Sequence, residues 1–156
     1  MKIIDIIKQR GQTLFTVKTD TKALEAVSIM DTKKIGALIV LDDKENVAGI
    51  ISERDVLYKC YNTDIHLKDQ VVEKLMTPVE DILIGKMDDT AQDLINIMLY
   101  RRIRHIPIIE NNKIVAMLAV EDILKMIMDS YEIESRLLRE HIKNPFGIHT
   151  YGEKDI

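Results

Sequence analysis

Apolar positions along the chain change period in a fixed order, and the order occurs twice. Ala23, Ala26, Val27 and Met30 carry the i, i+3, i+4, i+7 spacing that gives a helix one buried face, and Ala91, Leu94, Ile95 and Met98 repeat it. Asp20 in one copy, and Asp88 with Asp89 in the other, stand just ahead of these helices as expected caps. Apolar runs at 37–41 and 47–51 flank the polar turn Asp42-Asp43-Lys44-Glu45-Asn46 and predict a hairpin. Runs at 106–109 and 114–119 flank Glu110-Asn111-Asn112-Lys113 and predict a second. Another helix is expected to open near Asp55 and near Asp122, with leading strands at 14–17 and 82–84.

The order of elements is therefore strand, helix, strand, strand, helix in each copy. At an offset of 68, Lys18, Asp20, Ala23, Ile29, Met30 and Ile35 meet identical residues at Lys86, Asp88, Ala91, Ile97, Met98 and Ile103. At an offset of 67, Asp55 meets Asp122 and Leu57 meets Leu124. A unit of about 60 residues buries too little surface to be secure alone, so the two copies are expected to pack face to face. The expected fold is α/β (α+β), two repeats related by a pseudo-two-fold axis. An N-terminal helix occupies 1–12, the first repeat 13–61, a linker 62–78, the second repeat 79–130, and a helical extension with a polar tail 131–156. Within the linker, 71–76 reads as a short helix ended by Thr77-Pro78. The last helix is expected to run from near Glu121 to Lys143, stopped by Asn144-Pro145. Ile123, Ile127, Tyr131, Leu138 and Ile142 would form its apolar stripe, docked on its own module or on a second copy.

Composition narrows the function classes. A formal charge of −4 opposes non-specific nucleic-acid binding, and 4% aromatics without tryptophan offer no stacking platform for single strands. No apolar run approaches the roughly 18 to 20 residues of a membrane span, and the N-terminus has no signal-peptide pattern, so a cytoplasmic location is expected. Cys60 is the single cysteine and reads as a passive thiol. His66, His105, His141 and His149 have no metal-ligand spacing with Cys60 or nearby acids, and no glycine-rich phosphate loop occurs. The eight methionines read as core or interface filler.

Gly49-Ile50-Ile51-Ser52-Glu53-Arg54-Asp55 and Arg102-Ile103-Arg104-His105-Ile106-Pro107-Ile108-Ile109 resemble the signatures of the tandem cystathionine beta-synthase (CBS) domain pair. The match runs from Lys2 to about Ile142 and is similar to stand-alone bacterial and archaeal CBS-pair proteins. The resemblance implies a regulatory module that binds AMP, ADP, ATP, NAD(H) or S-adenosylmethionine in the cleft between repeats, needs no metal, and associates as a homodimer. It assigns Asp55 to the ribose hydroxyls, Ser52 to ribose or phosphate, and Arg54 to the mouth of the site. Taken without the repeat and the flanking Gly-Ile-Ile, Asp55 reads first as a helix cap, and that context reverses the preference. Arg104 and His105 occupy the positions where the gamma subunit of AMP-activated protein kinase, which this pattern resembles, places an adjacent His and Arg on phosphates, here in reversed order. A guanidinium fork suits phosphate oxygens, and an imidazole gains charge as pH falls towards its ordinary pKa of about 6.5. For Arg101 and Arg102, interaction with the helix C-terminus suffices. Ile51, Ile106 and Ile108 are expected walls for the adenine ring, or else core.

The second signature is degraded to Ala116-Met117-Leu118-Ala119-Val120-Glu121-Asp122. Ala119 replaces the hydroxyl residue, and Gly36-Ala37 stands where the phosphate pair would be. Asp122 is thus expected to cap a helix at a weaker second site. Besides the sensing module, two other readings stay open. One is a dimeric adaptor with a vestigial pocket. The other, least supported, is a nucleotide-acting enzyme, since no base, nucleophile or metal set accompanies Asp55.

Overall fold

The computed structural model describes residues 1–11, 13–62, 66–111 and 113–143. The expected order of elements is present in both copies. The first runs β1 (Thr16–Lys18), α2 (Ala23–Lys33), β2 (Ala37–Leu41), β3 (Val47–Ser52), α3 (Glu53–Asn62). The second runs β5 (Gly85–Lys86), α5 (Ala91–Arg101), β6 (His105–Glu110), β7 (Lys113–Ala119), α6 (Val120–Lys143). In each sheet the leading strand pairs parallel with the next, because a helix carries the chain across, and the hairpin pairs antiparallel. Both long helices end on a non-glycine residue in the left-handed region, Lys34 (φ 54°) and Arg102 (φ 55°). In each, the next N–H returns to the helix, Ile35 to Met30 at 3.0 Å and Ile103 to Met98 at 2.9 Å, which closes the free carbonyls.

The acids ahead of these helices do not cap them. Thr90 is the cap of α5, its side chain accepting from the Asp93 amide, while Asp89 accepts from Lys86 N–H in the preceding turn at 2.8 Å. No side chain caps α2. The first amides of the two helices are instead taken by distant backbone: Ala23 N–H donates to Gln70 O at 3.0 Å, and Ala91 N–H to Met1 O at 3.1 Å. These bonds belong to two docking helices, α1 (Ile3–Arg10) and α4 (Val72–Leu75). The two dock alike. Ile3 N–H donates to Asp89 O and Ile4 N–H to Met87 O, as Val72 N–H does to Thr21 O and Glu73 N–H to Thr19 O. The helix nearest the N-terminus therefore completes the second repeat, with Ile3, Ile6 and Ile7 buried beside Ala91, Leu94, Met98 and Ile123. The linker helix completes the first, burying Val72 and Leu75 with Met30, Leu38 and Ile51.

Thr77-Pro78 does more than stop a helix: it forms β4 and pairs antiparallel with Gly49 and Ile50 of β3. The leading strand of the second copy lies at Gly85–Lys86 and not at 82–84. Glycine leaves the buried side chains beneath undisturbed here, since a Cβ on Gly85 would stand 2.8 Å from Ile108 Cδ1 and 3.1 Å from Leu94 Cδ2. Ile82 turns into the seam between the repeats. There it packs with Ala37, Ile39, Ile50, Ile114 and Met117, drawn from both sheets. Each sheet is thus covered by its own helices on one face and by the other repeat on the second, as the nearly continuous apolar strands require. The Asn144-Pro145 stop and the tail lie outside the described residues.

Candidate functional site

Where β3 ends and α3 begins, Ser52 and Asp55 close a reciprocal cap. Asp55 Oδ2 accepts from Ser52 N–H at 2.8 Å and from its hydroxyl at 2.6 Å, and Asp55 N–H points to Ser52 Oγ at 3.3 Å. Among the described residues, Asp55 Oδ1 accepts the Thr77 hydroxyl alone, at 3.3 Å, and keeps acceptor capacity free. Ser52 directs its hydroxyl to Asp55. Thr77, which sequence reading treated only as half of a helix stop, stands beside the carboxylate because β4 pairs with β3.

These groups line a cavity of about 500 Å³ between the repeats, together with Arg54, Arg101, Arg102, Arg104 and His105. Arg54 donates to the Arg102 carbonyl and so ties the first turn of α3 to the end of α5. Arg104 Nη2 lies 4.0 Å from Glu53 Oε2, both half-exposed, a contact that leaves the guanidinium available. Burial pushes His105 below its ordinary pKa, with Arg104 acting in the same direction, against the opposing pull of Glu121, Glu53 and Asp122. A neutral imidazole at neutral pH is the consequence. The second repeat contributes most of the cationic wall and Asp55 comes from the first. The fold therefore gathers Asp55, Ser52, Arg54, Arg104 and His105 into one space.

Ile51, Ile106 and Ile108 are not in it. All three are fully buried in the cores beneath the two sheets. Strand side chains alternate between faces, so the neighbours Ile50 and Pro107 reach the cavity instead, with Ile82, Leu83 and Ile103. The apolar walls were thus misplaced by one residue on each strand.

A second cavity of about 490 Å³ lies on the pseudo-symmetric side. Arg10, Lys34, Gly36, Ala119, Asp122 and, again, Arg104 and His105 are among its lining residues. Asp122 repeats part of the Asp55 cap, accepting from Ala119 N–H at 3.1 Å, and carries an ion pair that Asp55 lacks, with Arg10 Nη2 at 3.0 Å. Among the described residues, no helix is long and apolar enough to cross a membrane, and no cluster of His, Cys, Asp or Glu has the form of a metal site.

Comparison with known proteins agrees with this duplication. Residues 5–62 and 72–129 each match the CBS domain family. A 17.7 kDa protein of Acidianus ambivalens is 32% identical over 131 residues, which cover 83% of this chain and 77% of that one. The crystal structure of a CBS-domain containing protein from Agrobacterium tumefaciens superimposes with a TM-score of 0.75 at 28% identity, covering 80% of this chain and 91% of the other. CBSX2, solved in complex with AMP, shares the fold with a TM-score of 0.64 at 22% identity, covering 82% and 97% respectively.

Proposed function

The chain belongs to the CBS-domain family, and from this we propose that it is a regulatory module sensing an adenosine-containing ligand in the Asp55 cavity. The carrying observation is the pairing, across one space of about 500 Å³, of a carboxylate with free acceptor capacity and a cationic wall of Arg54, Arg101, Arg102 and Arg104. The carboxylate suits two ribose hydroxyls, the arginines suit phosphate oxygens, and Ile50, Ile103 and Pro107 offer apolar surface to a base. AMP in CBSX2, a protein of like fold, supports the class of ligand. AMP, ADP, ATP and NAD(H) carry all three parts, and S-adenosylmethionine carries the base and ribose with a carboxylate in place of phosphate. Occupation of the cavity would bias the relative position of the repeats, because its two halves come from different copies.

Thermal melting with these five compounds tests the reading. A ligand present at about 100 times its Kd adds about 2.7 kcal/mol to stability. No rise with any of the five at millimolar concentration refutes it.

A second reading, a dimeric adaptor, draws on large apolar side chains left in solvent. Tyr61 of α3 is 86% exposed, Tyr100 of α5 84%, and Tyr131 of α6 66%. In the expected α6 stripe, Ile123 is buried and Ile127 half-buried in the module, whereas Tyr131 and Leu138 face solvent. Homodimerisation is proposed with either reading. Light scattering on the intact chain and on a truncation before Glu132 tests it: a monomer in both removes the dimer, and a dimer in both removes only the end of α6 from its interface.

A further inference from the structure

Docking of α1 on the second repeat carries Arg10 to a place that has no counterpart in the first. The two docking helices start in register, as their paired hydrogen bonds to the turns ahead of α2 and α5 show. They differ in length. α4 stops at Leu75, and the chain leaves it as β4, which covers the outer edge of β3 and sets the Thr77 hydroxyl beside Asp55. α1 continues to Arg10, and among the described residues no strand covers the outer edge of β7 in the three-stranded sheet. Arg10 does both jobs there. Its Nη1 donates to the Met117 carbonyl on the uncovered edge at 2.7 Å, and its Nη2 meets Asp122 Oδ2 at 3.0 Å. Met117 is the residue at which the 67-residue offset places Ile50, the partner of Thr77 in the β3–β4 pairing.

We propose that Arg10 acts as an internal plug at the ribose end of the second cavity, so that this chain holds one adenosine ligand and not two. A neutral hydroxyl beside Asp55 leaves a carboxylate able to accept the two donors of a ribose. A guanidinium held by the Met117 carbonyl and by Asp122 Oδ2, the oxygen that also accepts Ala119 N–H, stands in the cavity beside the carboxylate and places a charged donor where sugar carbons would pack. Ile3, Ile6 and Ile7 anchor the helix, so the plug does not move aside freely. The remaining wall is mixed in charge: Lys34, Arg104 and His105 line the same cavity as Asp31, Glu53 and Glu121. One side chain, delivered by an extra turn of helix, thus closes a cavity that Ala119 and Gly36-Ala37 already make the poorer of the two. This inference depends on the reading that the Asp55 cavity binds an adenosine ligand.

Equilibrium dialysis of the full chain with up to millimolar AMP, and in parallel S-adenosylmethionine, tests it. The wild type should take up one ligand per chain. Arg10→Ala should take up two, the added site weaker, with the affinity of the first changed less than about two-fold. Asp122→Asn on that background should remove the added site alone. Arg10→Met, which keeps the aliphatic stem over the cavity, serves if Arg10→Ala lowers the melting temperature by more than a few degrees. Two ligands on the wild type, or one on both Arg10 variants, overturns the plug and leaves the Asp55 reading standing. No ligand on the wild type but one on Arg10→Ala overturns the Asp55 reading and supports the plug. No ligand on any protein with either compound overturns both.

Discussion

The imidazole of His105 lies directly against Gly36: a Cβ at Gly36 would stand 2.7 Å from Cε1 and 2.8 Å from Nε2. The first repeat thereby sets the position of a ring from the second, on the wall shared by both cavities. Gly36→Ala should push the ring aside and keep the fold, since the crowded atoms end a side chain. We expect a stability loss of about 1 to 2 kcal/mol. Calorimetry should show AMP weakened more than adenosine. Equal weakening of the two would mean that the ring does not face the phosphate.

Asp55→Ala should weaken ligand binding about 10 to 150-fold, from the loss of about 1.5 to 3 kcal/mol of hydrogen bonding to a charged group. Asp122→Ala should leave affinity at the first site within a few-fold. Each variant loses a bond to a helix-start amide, Ser52 N–H in one and Ala119 N–H in the other. Both should therefore melt lower, by about 0.5 to 2 kcal/mol, and melting of the ligand-free proteins corrects the comparison. Equal loss of binding in two folded variants would sink the difference between the sites.

His105 has a folded-state pKa below its ordinary value, chiefly from burial and secondly from Arg104. As pH falls through about 6.5 the unfolded chain takes up the proton first, so folding becomes less favourable. Stability should hold above this pH and decline below it, the His105 contribution levelling off once the pH is below the folded value. His105→Gln should flatten that part of the melting-temperature profile between pH 7.5 and 5.5. An anion beside the ring opposes the shift, so AMP should bind the wild type relatively better than His105→Gln as pH falls through the same window. An unchanged difference between the two proteins across this range would place the phosphate elsewhere.

Gly49→Ala tests whether β4 positions Thr77. A Cβ there would lie 2.5 Å from the Thr77 carbonyl oxygen and 2.7 Å from Met76 Sδ, so backbone must move. A loss of about 1 to 3 kcal/mol is expected on denaturant unfolding, together with weaker AMP binding. Thr77→Val keeps the strand and should weaken binding with a smaller loss of stability. If Gly49→Ala binds AMP as the wild type does, the fourth strand is structural only.

Periodicity and self-similarity were enough to fix the elements of each repeat, because burial of one helix face and alternation along strands are local properties of the chain. Asp55, Arg104 and His105 could be singled out because each stands at a strand end, and the fold brings the three to one cavity. Which neighbour along a strand faces the cavity was not legible. Both faces of these sheets are apolar, so Ile50 and Ile51, or Ile106 and Pro107, look alike until the second repeat is docked. Nor did the sequence show that α1 completes the repeat farther from it in the chain, that Thr77 joins the first sheet, or that Arg10 meets Asp122. These are long-range pairings, chosen by which exposed edge and apolar face each segment can cover, and only the folded chain brings those surfaces together.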